Sequence, residues 1–221
     1  MPGLEKLQHI SLTTQVEKGL KDRLSIGALR PGTRLITKNI AEELGISITP
    51  VREALLRLVS SSALAIAPAQ AFMVPDINMM RFNEIIHIRS ELEGMAVAAA
   101  AGQVTPERME ILQSLLAAYQ QSFVNGTTEE RLLANRAFRF KIYQFANMPI
   151  LTELIEQLWV RMGPSLHFLY DAAEKETLRN NVEQYQHLLD RISVGNKEDS
   201  CQCLLDIIHE NVAIIKQQYI N

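Results

Sequence analysis

Between Ser11 and Ile26, apolar residues stand at Leu12, Val16, Leu20, Leu24 and Ile26 with charges among them, the spacing of an amphipathic helix that Gly27 ends. Arg30-Pro31-Gly32-Thr33 predicts a type II turn, since proline fixes φ and glycine accepts a positive one. A short second helix follows, with Thr37 as its N-cap, Ile40, Ala41 and Leu44 on one face, and Gly45 at its C-terminal end. Ser47 or Thr49 is placed to cap a third helix, Pro50 fits its first turn, and Val51, Ala54, Leu55 and Leu58 form its inward stripe. The period then changes to alternation in Leu64-Ala65-Ile66-Ala67 and Phe72-Met73-Val74, a hairpin around Pro68-Ala69-Gln70-Ala71.

After Pro75-Asp76, with Asp76 as the candidate cap, no strand pattern recurs. Six helices are predicted near 77–102, 105–124, 128–146, 149–173, 175–194 and 197–218, separated by glycine, asparagine or proline signals. Thr105-Pro106-Glu107 and Thr127-Thr128-Glu129-Glu130 put hydroxyl caps and carboxylates at the positive end of the helix dipole. The fold class is therefore mostly α: a winged helix-turn-helix over 1–75, then an all-helical bundle over 76–221.

A chain of 221 residues is long enough for both units to bury a core. No run reaches the ~18 uncharged apolar residues of a membrane span. The N-terminus MPGLEKLQHISL has no export-type apolar segment, so a cytoplasmic location is expected. Cys201 and Cys203 lie about 200° apart on a helix and cannot share a metal from one face; they read as reduced cysteines. Net charge is −3, but it is uneven: nine Lys/Arg against six Asp/Glu in the first 75 residues, thirteen against nineteen afterwards. A weakly basic head on an acidic body suits a protein whose head alone meets phosphate.

Two short helices around a glycine turn, the second opening on Ser-Ile-Thr-Pro-Val-Arg, form the arrangement that presents a helix to the DNA major groove. Ser47 and Thr49 offer hydroxyls to phosphates or base edges, and Arg52, about one turn on, suits guanine or a phosphate. Lys38 is placed to touch the backbone. The alternative for Arg52 is a surface pair with Glu53 or Glu42.

The run RLITKNIAEELGISITPVREALLRLV, preceded by GALRPGTRL, resembles the winged helix-turn-helix of the GntR family of bacterial transcription regulators, PVREAL being its most specific element. The resemblance implies DNA contacts at Lys38, Ser47, Thr49 and Arg52. It departs in two places: Ile48 stands where arginine is frequent and can make only apolar contact, as with a thymine methyl, and the wing has Gln70 as its only polar tip residue.

The helical body resembles the effector-binding (FCD-type) domain of the FadR-like branch, on Arg89-Ser90-Glu91-Leu92-Glu93, Asn135-Arg136-Ala137-Phe138-Arg139 and Asn147-Met148-Pro149. Many members of that branch hold a divalent metal with one Asp and three His. The matching positions here read Asn135, Arg139, Tyr185 and Asn211, which lack the charge and lone pairs a transition metal requires, so no metal or other cofactor is expected. What remains suits a small effector with an acidic or strongly accepting group, held by Arg139 with Arg89 and Arg161 as further candidates. The alternative is that Arg139 is neutralised internally, for example by Glu93, while the others satisfy one another. His187 and His209 sit two positions from former ligand sites and should face elsewhere.

Near full-length likeness, on LSIGALRPGTRLITKN, SITPVREALLRLV, APAQAF and NMPILTELIEQLWVRMGP, extends to a subgroup that controls colanic acid and biofilm genes, and implies that role. The expected function is a homodimeric regulator of an inverted-repeat operator in double-stranded DNA, modulated by an effector and acting as a repressor or an activator. The alternative is a constitutive regulator whose body only dimerises. An enzyme is not expected: no nucleophile with a paired base, phosphate loop or metal triad is present, and Ser165 and His167 face apart on a helix.

Overall fold

The computed structural model describes residues 11–68, 71–170 and 174–220. Its head begins with α1 (Leu12–Ser25), where Ser11 accepts from the Thr14 amide as N-cap. Gly27 follows at φ +73°, and Gly32 at φ +79° makes the expected tight turn, closed by Thr33 N–H to the Arg30 carbonyl at 3.1 Å. Then come β1 (Arg34–Leu35), α2 (Thr37–Leu44) and α3 (Ile48–Ser60). Gly45, at φ +65°, ends α2 in the left-handed conformation glycine tolerates.

Three small corrections concern caps. Ile36, not Thr37, occupies the N-cap of α2; Ser47 is the N-cap of α3 but makes no capping hydrogen bond; and Asn78, not Asp76, caps α4, accepting from the Arg81 amide. Asp76 instead accepts from the Ile77 amide.

The predicted hairpin is β2 (Ala65–Ala67) with β3 (Ala71–Met73), paired antiparallel with Ile66 opposite Phe72. It gains a third strand that alternation could not reveal, because β1 is only two residues long; it joins β3 antiparallel, giving the order β1-β3-β2. Leu35, Val51, Ala54, Leu55, Leu58, Phe72 and Val74 form the head core.

The body comprises α4 (Met79–Ala101), α5 (Pro106–Asn125), α6 (Thr128–Phe145), α7 (Pro149–Met162), α8 (Glu174–Ser193) and α9 (Lys197–Ile220). Thr105 caps α5, and Thr127 with Glu130 forms a reciprocal capping box on α6, as the sequence leads one to expect. Helix α4 is central, packing on α6, α7, α8 and α9. It approaches α9 so closely at Gly94 that a Cβ would lie 2.8 Å from Cys201 Sγ.

The predicted helix 149–173 is shorter than expected. It ends at Met162 and continues as a 3-10 segment, Gly163–Tyr170. Pro164 has no amide hydrogen for the α-helical ladder, which accounts for the change. Gly163 also meets the head: a Cβ there would lie 1.8 Å from the Leu24 carbonyl oxygen. The two cores interlock at this joint, since Ile26 of the head packs into the body core and Val160 of α7 into the head core.

Candidate DNA-reading face and ligand cavity

Helix α3 buries Val51, Ala54, Leu55 and Leu58, which turns its N-terminal end outward. Ser47, Ile48, Thr49 and Arg52 are all exposed there, Ile48 at 51%. No carboxylate occupies the first turn, so the amides and positive end of the helix dipole stay open to an anion. Both alternative partners of Arg52 are engaged elsewhere: Glu53 accepts from Thr13 Oγ1 at 2.9 Å, and Glu42 faces Lys38 Nζ at 3.7 Å. Among the described residues Arg52 forms no salt bridge. Lys38, with a side chain 74% exposed, lies at the start of the bracing helix. In the wing, Ile66 is exposed; Gln70, the proposed tip contact, lies outside the described residues.

In the body, helical spacing aligns polar side chains toward one point. On α4, Arg89 and Glu93 are an i, i+4 pair; on α6, Asn135, Arg139 and Tyr143 repeat at four-residue intervals; on α8, Asn181 and Tyr185 do the same. Glu93, fully buried, is the hub. It accepts from Arg89 Nε at 2.7 Å and Trp159 Nε1 at 2.9 Å on one oxygen, and from Arg139 Nη2 and the Tyr143 hydroxyl on the other. Burial alone raises a carboxyl's pKa, but the Arg139 and Arg89 guanidiniums outweigh it and hold Glu93 below its ordinary range. The Arg89 guanidinium also lies 4.5 Å from the centre of the Trp159 ring.

The internal-pairing alternative for Arg139 is thus the observed one. Around it, Asn135 Nδ2 donates to the Tyr185 hydroxyl at 2.9 Å, and Asn181 Nδ2 to Asn211 Oδ1 at 3.1 Å. A cavity of about 50 Å³ remains, bounded by Arg89, Asn135, Arg139, Asn181 and Asn211 together with Ser25 and Ile26 from the end of α1. Two expected members are elsewhere. Tyr185 stands behind Asn135, fully buried against Phe138 and Tyr119, and does not line the cavity. Arg161 leaves it altogether, because its position on α7 turns it toward the head, where Nε donates to the Ser61 carbonyl at 2.9 Å.

Asn181 was missed, although it lies one turn before Tyr185; Tyr143 likewise lies one turn after Arg139. No sequence spacing links Trp159 or Ser25 to the cluster. His187 and His209 are exposed, away from the cavity. The donor set does not fit a divalent metal: Arg139 is a cation paired to Glu93, and Asn211 spends its amide on the Ile207 carbonyl. Among the described residues no three His, Cys, Asp or Glu side chains are placed to hold one.

Comparison with known proteins fits both halves. Residues 12–74 match the model of the bacterial regulatory proteins of the gntR family, and residues 84–210 match the FCD domain. The HTH-type transcriptional regulator McbR of Escherichia coli K12 is 55% identical over 99% of each chain. The chain belongs to the GntR family. A solved structure of E. coli McbR/YncC superposes with a TM-score of 0.92, covering 96% of this chain and all of that one. An uncharacterized HTH-type regulator, YdhC of Bacillus subtilis, is 24% identical over 84% of this chain and 83% of its own. This GntR-family chain is accordingly a transcriptional regulator, with a DNA-binding head on an FCD body, as the resemblance implied. Among its described residues, no helix is long and apolar enough to cross a membrane.

Proposed function

We propose that the protein is a homodimer that binds an inverted-repeat operator through α3, the DNA-binding unit spanning 1–75 and the effector-binding and dimerisation unit 76–221. The observation that carries this reading is the exposed, carboxylate-free N-terminal end of α3, with Ser47, Thr49 and Arg52 outward and four apolar residues inward. Few base contacts per half-site are available when Ile48 is apolar, so a two-fold dimer supplies the specificity. Selection from a random duplex library tests it. The expected result is a palindrome with half-sites about one helical turn apart, and recovery of an unpaired single site overturns it.

The body modulates binding through the cavity between α4, α6, α8 and α9, taking an acidic group at Arg89 and Arg139. The protein acts in the cytoplasm as a repressor without catalytic activity. The subgroup likeness supports target genes for surface polysaccharide and biofilm, and genome-wide mapping of bound sites checks it. A second reading, a constitutive regulator whose body only dimerises, is favoured by one observation: Glu93 already engages both guanidiniums. Operator affinity that no small acid alters supports that second reading.

A further inference from the structure

The cluster around Glu93 is unbalanced. Two buried guanidiniums, Arg89 and Arg139, share one carboxylate, and among the described residues no second carboxylate pairs with either. Burial keeps the Tyr143 and Tyr185 hydroxyls neutral, pushing both above the ordinary phenol value. One uncompensated positive charge is therefore left in a place that water barely reaches, and such a charge seeks an anion.

The amides around the cavity say more. Asn211 Nδ2 donates to the Ile207 carbonyl at 2.9 Å, so its oxygen must accept, and Asn181 must present its nitrogen to it. That fixes the Asn181 oxygen as a buried acceptor with no partner. Asn181 is only 1% exposed and lines the cavity. A fitting occupant brings negative charge for the arginines and a hydroxyl for Asn181. It must also be small: a volume of about 50 Å³ admits a few heavy atoms, whereas metabolite pockets run to roughly 300–1,000 Å³.

We propose that this cavity is a site for a small monovalent oxyanion bearing a hydroxyl, bicarbonate being the simplest, held between Arg89, Arg139 and Asn181. This rests on the ligand-cavity part of the function proposed above and narrows it from an acid to one of about four heavy atoms. Because Ser25, the last residue of α1, and Ile26 just after it form part of the wall, the anion sits where head meets body. Its presence is linked to how α1 seats.

The chain has a single tryptophan, Trp159, whose indole N–H donates to Glu93 at 2.9 Å. Its one indole resonance in a 1H–15N spectrum of the full-length protein reports on the cluster. Sodium bicarbonate, formate and gluconate are titrated at pH 8 and constant ionic strength. A saturable shift is expected with bicarbonate, about fivefold weaker binding with formate, which lacks the hydroxyl, and none with gluconate, which is too large. In Asn135→Asp the new carboxylate supplies the missing charge and Tyr185 turns to donate to it, so the shift should vanish. If that variant does not fold, Asn181→Leu serves, expected to bring bicarbonate down to the affinity of formate.

No saturable shift with either small anion overturns the site, as does a shift unchanged in Asn135→Asp or, in its place, a bicarbonate advantage kept in Asn181→Leu. A saturable Trp159 shift with no change in operator affinity supports the site and removes only its role as an effector switch.

Discussion

The N-terminal end of α3 and the cluster around Glu93 are built from similar side chains in opposite circumstances. At the first, Arg52 and Lys38 stand in solvent, beside hydroxyls and an open helix terminus. At the second, Arg89 and Arg139 are sealed beneath Trp159 and tied to one carboxylate. An exposed guanidinium is stabilised by water and gives its binding energy to a partner that arrives later; a buried one has lost that water, and the fold depends on the counter-charge it finds inside. Substitutions in the first region should therefore alter DNA affinity and leave stability alone, and those in the second should do the reverse.

The sharpest test is Glu93→Ala, which leaves two buried guanidiniums with no counter-charge. A loss of about 3–5 kcal/mol in chemical denaturation is expected. A loss below about 1 kcal/mol would mean the cluster is hydrated and the contrast with α3 is false. The same carboxylate predicts a pH dependence. Its folded pKa lies below the ordinary value, so its contribution is complete above the normal carboxylate range and disappears as the pH falls through the folded pKa. Denaturation midpoints between pH 6 and pH 3 should fall less steeply in Glu93→Gln than in the native chain.

Next in size is Gly163→Ala at the joint. The added Cβ would meet the Leu24 carbonyl oxygen at 1.8 Å, backbone against backbone, so the head must shift on the body. A cost of about 3 kcal/mol is expected by thermal unfolding, with operator affinity falling as well. Arg52→Ala should cost about 1–3 kcal/mol of operator binding in a gel-shift titration. Its midpoint of unfolding should stay within error of the native value. A change in stability comparable to the change in binding would erase the distinction between the two regions.

The difference also decides what was legible beforehand. The head was readable almost to the residue, because its signals are local: a glycine turn at Gly32, a glycine stop at Gly45, a four-residue apolar stripe on α3. The sheet strand β1 escaped because two residues carry no alternation. The body's helices were equally local, apart from the break that Gly163-Pro164 places after α7. Its cluster was not, since partners 46 and 66 residues apart meet at Glu93. Spacing alone puts Arg89 and Glu93, four residues apart, on one face of α4. It could not tell whether Arg139 faced a ligand or that same carboxylate, because that depends on how α4 and α6 are set against each other.

Arg161 gives the smallest effect and the most direct test of whether the regions are separate. It was expected in the cavity, yet its guanidinium reaches the Ser61 carbonyl just past the end of α3. Carbonyls at a helix C-terminus lack intrahelical donors, so a cation there satisfies an orphan acceptor and complements the dipole. Replacing Arg161 by Met keeps the stem and removes that bond, for an expected loss of about 1 kcal/mol. If α3 is positioned by its own core, operator affinity in Arg161→Met stays at the native value. A measurable drop, at a residue too distant in sequence and place to touch the groove end of α3, would mean the body holds the recognition helix through this contact. The exposed and the sealed region would then be two ends of one device.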